Sequence, residues 1–307
     1  MSKITSPYSL WVIAIMMNFL TLSSVQASGS AAALTVLNNA IKLTHRIAVE
    51  KNLSYGDEPW QQLNAYPQPG DAAAPVVLFI YGGGWHQGKK EHYHFVADAL
   101  VRRGYVVVIP DYIKYPDGRF PTFVEDIALA TAWVKNNINK LGGNPNQVLL
   151  AGHSAGAHTG ALLVTDPTYL QAVGLNKTDV MGFVGLAGPY NFTPKAKTYV
   201  KTFGTENFEV MKANTHVDGS EPPIKLLHST GDKTVGLFNL ETFRNRLMAD
   251  GVAVETVVYD DIGHAAMVLK MHPWFADEIN LAEETDVFFQ ALIERQFNPP
   301  RSTASEP

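Results

Sequence analysis

The fold is decided by one stretch, which reads Val148-Leu149-Leu150-Ala151-Gly152-His153-Ser154-Ala155-Gly156-Ala157-His158. An apolar run breaks into small residues and then continues as a helix-forming segment, so the stretch predicts a strand, a sharp turn and a helix. Its centre fits G-x-S-x-G, the pattern of a strained strand-to-helix turn that exposes a serine hydroxyl at the end of a sheet. The five residues alone also fit a Gly/Ser turn in an ordinary α/β domain, but the flanking strand and helix favour the first interpretation.

Strands and helices alternate along most of the remaining chain. Five further runs are mostly apolar and lack the period-2 alternation of a sheet with one solvated face, so they predict the strands of a mostly parallel sheet that is covered on both faces. These runs are Val76–Tyr81, Tyr105–Pro110, Val180–Ala187, Pro223–Ser229 and Ala253–Tyr259. Helical periodicity predicts covering helices on both faces, including Phe123–Leu141, Phe238–Asp250 and Val287–Arg295. The predicted fold class is α/β, with ligands at the carboxyl ends of the strands.

We expect residues 28–297 to form a single domain. It begins with an arm that contains an amphipathic segment, Ala32–Leu43, and a candidate strand, Gln61–Tyr66. Between about residues 190 and 222 the buried-strand pattern is lost and aromatic residues are scattered, which indicates a small cap segment over the site. Residues 298–307 are polar and contain proline, so we expect a disordered tail.

Residues 1–27 have the layout of a secretory signal peptide. Lys3 gives a positive start, Leu10 to Leu22 is mostly apolar, and Val25-Gln26-Ala27 offers small residues for cleavage. The apolar run has thirteen residues, fewer than the roughly 20 that a membrane-spanning helix needs. We therefore expect a secreted or periplasmic protein without stable membrane insertion after cleavage, and an uncleaved N-terminal anchor is the alternative.

Composition limits the partners and the chemistry. The chain has 307 residues, of which 46% are apolar and 17% charged, and its formal net charge is -5. These values are typical of a globular protein, and without a basic stripe nucleic acid is not an expected partner. The absence of cysteine excludes disulfides, thiolate metal sites and a cysteine nucleophile. His92 and His94 point apart at helical spacing i and i+2, so no metal site is predicted.

A serine hydroxyl becomes a strong nucleophile when a histidine takes its proton and a carboxylate orients that histidine. For Ser154 the expected base is His264, which follows the last predicted strand in a loop where Gly263 lets the backbone turn. The expected acid is Asp232, which follows the preceding strand and gives the chain order Ser, Asp, His. Singly, each loop residue is more often a turn or solvated residue. Their order and their positions at strand ends favour the functional interpretation.

Three other polar residues near this site are interpreted as lying outside it. Asp260 and Asp261 are rivals for the acid, but they are too close to His264 in sequence to reach its ring easily from behind. His158 follows Ser154 by one helical turn and is interpreted as a helix-packing residue.

The run Gly82-Gly83-Gly84 follows the first predicted sheet strand and leaves backbone amides unobstructed. We expect the amides of Gly83, Gly84 and Ala155 to bind the oxyanion that develops in acyl transfer. A flexible glycine turn is the alternative, which is less favoured because Trp85 should fix the loop. Trp85 and Tyr190 are expected to bind substrate on the basis of their position, with packing under the cap as the alternative.

Six features of the sequence together resemble the α/β-hydrolase superfamily, and in particular the carboxylesterases grouped with hormone-sensitive-lipase-like and isoprenylcysteine-methylesterase-like enzymes. They are Tyr81-Gly82-Gly83-Gly84-Trp85, Asp111-Tyr112, Gly152-His153-Ser154-Ala155-Gly156, Gly188-Pro189-Tyr190, Asp232 and His264. The resemblance implies an α/β-hydrolase fold and a serine carboxylesterase that cleaves small-molecule esters through a covalent acyl-enzyme, without a cofactor. It assigns the nucleophile, acid and base to Ser154, Asp232 and His264, and the oxyanion amides to Gly83, Gly84 and Ala155.

The sequence departs from the usual pattern of these enzymes at two positions. Tyr81 replaces the usual histidine before the glycines, which leaves the oxyanion hole intact because its donors are backbone groups. Ile113 replaces the usual arginine after Asp-Tyr, which removes a charge that could brace the loop. Formamidase-type amide hydrolysis with the same triad and a binding module on a hydrolase fold remain alternatives, and the second of these predicts loss of a triad residue, which is not observed. The oligomeric state is not predicted.

Overall fold

The computed structural model describes residues 26–68, 70 and 73–297. The predicted tail, 298–307, lies outside these residues, as does all of the predicted signal peptide 1–27 except Gln26 and Ala27, which begin the first helix. Within the described ranges, no helix is both long and apolar enough to cross a membrane.

An eight-stranded sheet forms the centre of the fold, with the strand order β1-β2-β4-β3-β5-β6-β7-β8. The strands are β1 (Glu50–Ser54), β2 (Gln62–Tyr66), β3 (Ala74–Ile80), β4 (Val106–Pro110), β5 (Gly143–His153), β6 (Gly182–Leu186), β7 (Ile224–Ser229) and β8 (Val254–Tyr259). The six strands β3 to β8 are parallel to one another, and β1 and β2 add an antiparallel edge. Every residue of β4, β6 and β7 is buried, as expected of parallel strands that are covered on both faces.

Nine helices are described around the sheet. They are α1 (Gln26–Thr44), α2 (His94–Val101), α3 (Thr122–Asn137), α4 (Ala155–Thr165), α5 (Pro167–Ala172), α6 (Lys197–Phe203), α7 (Phe238–Ala249), α8 (His264–Leu269) and α9 (Leu281–Phe297). Crossovers between parallel strands are right-handed, so connections that run in opposite directions along a sheet lie on opposite faces. The β3–β4 connection through α2 and the β4–β5 connection through α3 run in opposite directions, which places helices on both faces, as predicted.

The strand order reverses between β3 and β5, and such a reversal is where a ligand-binding site can form. β3 and β5 are neighbours in the sheet, with Ile80 opposite Gly152, and the chain leaves them in opposite directions. A crevice forms outside the carboxyl ends of strands at such a switch point. The glycine run after β3 and Ser154 after β5 therefore meet at this crevice.

Several elements, among them β1, α5 and α8, are not anticipated by the sequence. β1 is the exposed edge strand and has the polar sequence EKNLS, so it carries no apolar pattern that would reveal it. α5 has six residues, and α8 begins at His264 itself, where the sequence predicts a loop. Both helices are too short for helical periodicity to be recognised.

Candidate active site

Ser154 occupies the turn between β5 and α4 with φ of 55° and ψ of -122°, a conformation that is strained for a residue with a side chain. The turn is tight because backbone packs on both sides of it. A Cβ on Gly152 would lie 2.6 Å from the Gly156 carbonyl oxygen, and a Cβ on Gly156 would lie 2.0 Å from that of Ile80. The Ser154 amide donates to the Leu186 carbonyl at 2.9 Å. The strand-turn-helix predicted from the sequence is therefore present, with its two glycines at the positions that exclude side chains.

The structure brings Ser154, His264 and Asp232 together. The Ser154 hydroxyl donates to His264 Nε2 at 2.7 Å, and His264 Nδ1 donates to Asp232 Oδ2 at 2.6 Å. His264 is the first residue of α8, and Asp232 lies in the loop after β7. A hydrogen-bonded chain of this kind holds the histidine in the tautomer that can accept the serine proton.

The Asp232 carboxylate is enclosed, with no side-chain surface exposed. Burial by itself raises the pKa of Asp232, but the hydrogen bond from His264 and those from the amides of Val235 and Thr234 outweigh it and hold this pKa below its usual value. The two amides donate to Oδ1 at 2.9 and 2.8 Å, which leaves Oδ2 for the imidazole. The carboxylate therefore stays ionised and aimed at His264 Nδ1.

The loops after β7 and β8 are held against each other by Ser229. Its hydroxyl oxygen accepts from the amides of Gly231 at 3.1 Å and Ile262 at 2.8 Å. A Cβ on Gly231 would lie 2.8 Å from the Asp261 Cα, so this glycine allows the two loops to approach. The approach sets the distance between acid and base.

The rival acids are not in contact with the base. Asp260 and Asp261 are both exposed, and the Asp260 carboxylate accepts a hydrogen bond from the Thr230 hydroxyl at 3.3 Å. The geometry favours Asp232 over both.

The glycine loop lies against the nucleophile. A Cβ on Gly82 would lie 3.0 Å from the Ser154 Cβ, and Gly83 and Gly84 have φ of 143° and 58°, values that glycine adopts without strain. Among the described residues, no acceptor takes a hydrogen bond from the amide of Gly83 or Gly84. Trp85 is 3% exposed, so the residue that follows the loop is fixed in the interior, in agreement with the expectation of an ordered loop.

A buried polar network supports the loop from the side of β3. Tyr81 donates to Asp111 Oδ1 at 2.5 Å, and the Lys90 ammonium pairs with Asp111 Oδ2 at 2.9 Å. Burial, followed by the negative charge of Asp111, raises the pKa of Tyr81 well above its ordinary value, so its hydroxyl keeps its proton and donates. Lys90 thus supplies the positive charge that Ile113 lacks, and the sequence could not show this because Lys90 precedes Asp111 by 21 residues.

The two predicted substrate-binding side chains lie elsewhere. Trp85 stacks on Phe192 with ring centroids 5.6 Å apart, and Tyr190 stacks on Phe243 at 4.8 Å. Both are buried, and neither contributes to the wall of the cavity at Ser154. Both aromatic rings turn into the interior, which fits the alternative of packing under the cap, and a substrate-binding role for the two side chains stays a prediction.

His158 packs in the interior as the sequence predicts. It has no exposed surface, and its Nε2 lies 2.7 Å from the Met211 carbonyl oxygen. Burial lowers the pKa of His158 to about 4, so the ring is neutral and donates through Nε2.

A cavity of about 300 Å³ opens at Ser154 and His264. One wall is apolar and comes from α1 and α8, with the residues Ala33, Leu34, Leu37, Ala265, Val268 and Leu269. The remaining lining residues include the polar side chains of His86, Gln87, Tyr199 and Thr234. The sequence analysis does not predict that α1 lines the cavity. The spacing of Leu34, Leu37 and Ile41 indicates only a helix face that is directed at the domain.

His45, Asp98 and His272 form a cluster whose potential ligand atoms lie within 4.8 Å of one another. The Trp274 amide donates to His272 Nδ1 at 3.3 Å, so the proton of this ring is on Nε2, which faces Asp98 Oδ2 at 3.3 Å. In this tautomer Nε2 offers no lone pair to a metal. We interpret the cluster as hydrogen bonds that join the end of α1, through His45, to α2, and the absence of a metal site stays a prediction.

Comparison with known proteins identifies the family. The sequence profile of the BD-FAE family matches residues 64–247. The chain belongs to the BD-FAE family. Its curated relatives include an isoprenylcysteine alpha-carbonyl methylesterase of Arabidopsis thaliana, which is 28% identical over 246 residues, or 72% of this chain and 58% of that relative. Esterase LipC of Mycobacterium tuberculosis is 30% identical over 230 residues, or 67% of this chain and 57% of LipC.

The chain spans a little over half the length of these relatives. Among solved structures, a hyperthermophilic esterase from the archaeon Pyrobaculum calidifontis superposes with a TM-score of 0.71 and 20% identity, over 96% of this chain and 99% of that structure. Together with the BD-FAE match, this similarity confirms the predicted α/β-hydrolase fold and the resemblance to its carboxylesterase families.

Asp232→Asn is expected to lower kcat about 10⁴-fold with little change in KM, because an amide leaves the imidazole in the wrong tautomer while its position is kept. The measurement is steady-state hydrolysis of p-nitrophenyl acetate. Asp260→Asn is the matched control and should retain the wild-type kcat. Equal losses in the two variants, or a larger loss in Asp260→Asn, would contradict the assignment of the acid.

Proposed function

We propose that this BD-FAE family member is a serine carboxylesterase that hydrolyses small-molecule carboxylic esters through an acyl-enzyme on Ser154. The observation that carries the proposal is the continuous hydrogen-bonded chain from Ser154 Oγ to His264 at 2.7 Å and from His264 to Asp232 at 2.6 Å. The names of its relatives, a methylesterase and an esterase, support the same reaction class.

Acylation follows from this arrangement. His264 Nε2 takes the proton of Ser154 as Oγ attacks the carbonyl carbon of the ester, and the carbonyl oxygen becomes an oxyanion. The amides of Gly83, Gly84 and Ala155 would bind this oxygen, and each such donor is worth about 3 kcal/mol in the transition state. When the intermediate collapses, His264 passes its proton to the departing alkoxide, the alcohol leaves and the acyl group stays on Ser154.

Deacylation repeats the steps with water as the nucleophile. His264 Nε2 takes a proton from water, the hydroxide attacks the acyl carbon, and the second oxyanion occupies the same place as the first. Collapse returns the proton from His264 to Ser154 Oγ and releases the acid. Asp232 remains ionised throughout and stabilises the imidazolium in both halves of the reaction.

The cavity supports esters with one apolar group. Leu34 and Leu37 of α1 and Val268 and Leu269 of α8 contribute aliphatic side chains to the lining of the cavity that contains Ser154, and burial of one methylene group contributes about 0.8 kcal/mol. The polar lining residues, His86 among them, suit the more polar group of the ester. We therefore propose that α1 and α8 select the length of the aliphatic chain on one side of the ester.

The nucleophile is tested by labelling with a fluorophosphonate, followed by peptide mass spectrometry. The label is expected on Ser154, and Ser154→Ala is expected to be unlabelled and to lose about 10⁶-fold in kcat. Parallel assays with p-nitrophenyl acetate and N-formylkynurenine separate ester from amide hydrolysis. A label on any other residue, or faster turnover of the amide, would contradict the proposal.

The wall formed by α1 is tested with Leu34→Trp, which places a large ring in the cavity. The ratio of kcat/KM for p-nitrophenyl octanoate to that for p-nitrophenyl acetate should fall at least about tenfold, because lost burial of two or more methylene groups exceeds about 1.4 kcal/mol. Leu43→Trp is the matched control on the same helix, since Leu43 is 85% exposed. If both variants give the same ratio, α1 does not select the length of the aliphatic chain of the substrate.

A further inference from the structure

His153 immediately precedes the proposed nucleophile, and its ring lies on the ring of the proposed base. The centroids of His153 and His264 are 4.9 Å apart, with their planes at 36°. His153 Nε2 also lies 3.1 Å from the backbone carbonyl oxygen of His264. His153 is 5% exposed, so its own ring is almost entirely withdrawn from water. The end of β5 is thus joined to the first residue of α8 by a contact that does not involve Ser154.

The protonation of His153 is fixed by its surroundings. Burial, followed by the nearby charge of His264, lowers the pKa of His153 to about 3, so the ring is neutral at ordinary pH. A carbonyl oxygen can only accept, so the single proton is on Nε2 and His153 donates to His264. Nδ1 is buried and has no partner among the described residues. The contact is therefore a neutral hydrogen bond that remains the same when His264 gains or loses a proton.

The contacts of His264 differ between the two halves of the proposed reaction. Before acylation the imidazole is held by the Ser154 hydroxyl, by Asp232 and by His153. In the acyl-enzyme, Oγ of Ser154 is an ester oxygen and has no proton to donate, so the bond seen at 2.7 Å no longer holds the ring. Asp232 then holds Nδ1, and His153 holds the backbone and the face of the ring, while Nε2 must remain free to accept a proton from water.

We propose that His153 is a positioning residue that keeps His264 in place over the acyl-enzyme, so that its loss slows deacylation more than acylation. The inference rests on the proposed function, and it goes further in assigning a role that differs between the two steps. Before acylation, three contacts restrain the base and loss of one leaves two. After acylation, two contacts restrain it and loss of His153 leaves one.

The test uses the full-length protein and stopped-flow measurement of p-nitrophenol release from p-nitrophenyl acetate. The exponential burst gives the acylation rate constant, and the steady-state rate per active site gives the deacylation rate constant. In His153→Leu the deacylation constant should fall at least about tenfold, equivalent to about 1.4 kcal/mol, while the acylation constant changes less than about threefold. The burst should approach one equivalent per active site.

Two variants separate positioning from general damage. In His153→Gln the amide Nε2 can donate to the same carbonyl, so deacylation should recover to within about threefold of wild type. His158→Leu removes a chemically matched residue, since His158 is also buried and neutral and its Nε2 donates to a carbonyl, that of Met211, at 2.7 Å. Whatever its effect on stability, His158→Leu should keep the wild-type ratio of the two rate constants.

An unchanged ratio in His153→Leu, absence of a burst in that variant, or failure of His153→Gln to recover deacylation would overturn the proposal. An equal change of ratio in His158→Leu would also overturn it, because the effect would then be structural. Failure of the proposed function is a separate outcome, which is seen as wild-type protein that neither hydrolyses the ester nor takes a label on Ser154.

Discussion

The backbone of Ser154 is held with φ of 55° by the strand and the helix that meet there, and the candidate site depends on this turn. A conformation of this kind costs about 1–3 kcal/mol and persists only when its surroundings determine it. Here the last seven residues of the preceding strand β5 and all of the following helix α4 are buried, and Gly156 lets the helix approach the backbone of Ile80. Burial on both sides of the turn thus offsets its strain and directs the Ser154 hydroxyl out of the sheet.

The parallel sheet explains how residues distant in sequence reach this hydroxyl. Parallel strands end at one edge of the sheet, so the loops after β3, β5, β7 and β8 all lie along that edge. The first two loops bring the glycine run and Ser154, and the last two bring Asp232 and His264. Contacts made by Ser229 and by His153 then hold these loops against one another.

The sequence predicts the features that follow from strand ends and chain order. Ser154, Asp232 and His264 could be selected because each follows a predicted strand, and the glycine run could be placed because it directly follows an apolar strand. It could not predict Lys90 as the partner of Asp111 or α1 as a wall of the cavity, since both depend on how separate elements pack. The interior packing of Trp85 and Tyr190 could not be predicted for a related reason, because proximity in sequence does not determine which way a side chain turns.

The central claim is that an activated serine and an oxyanion hole converge at one site. A crystal structure of the phosphonate adduct tests this claim most directly. We expect phosphorus to be bonded to Ser154 Oγ, and a phosphoryl oxygen to lie about 2.7–3.1 Å from the amide nitrogens of Gly83, Gly84 and Ala155. His264 should remain within hydrogen-bonding distance of Asp232. A phosphoryl oxygen directed into solvent, with the three amides bound to other groups, would contradict the account.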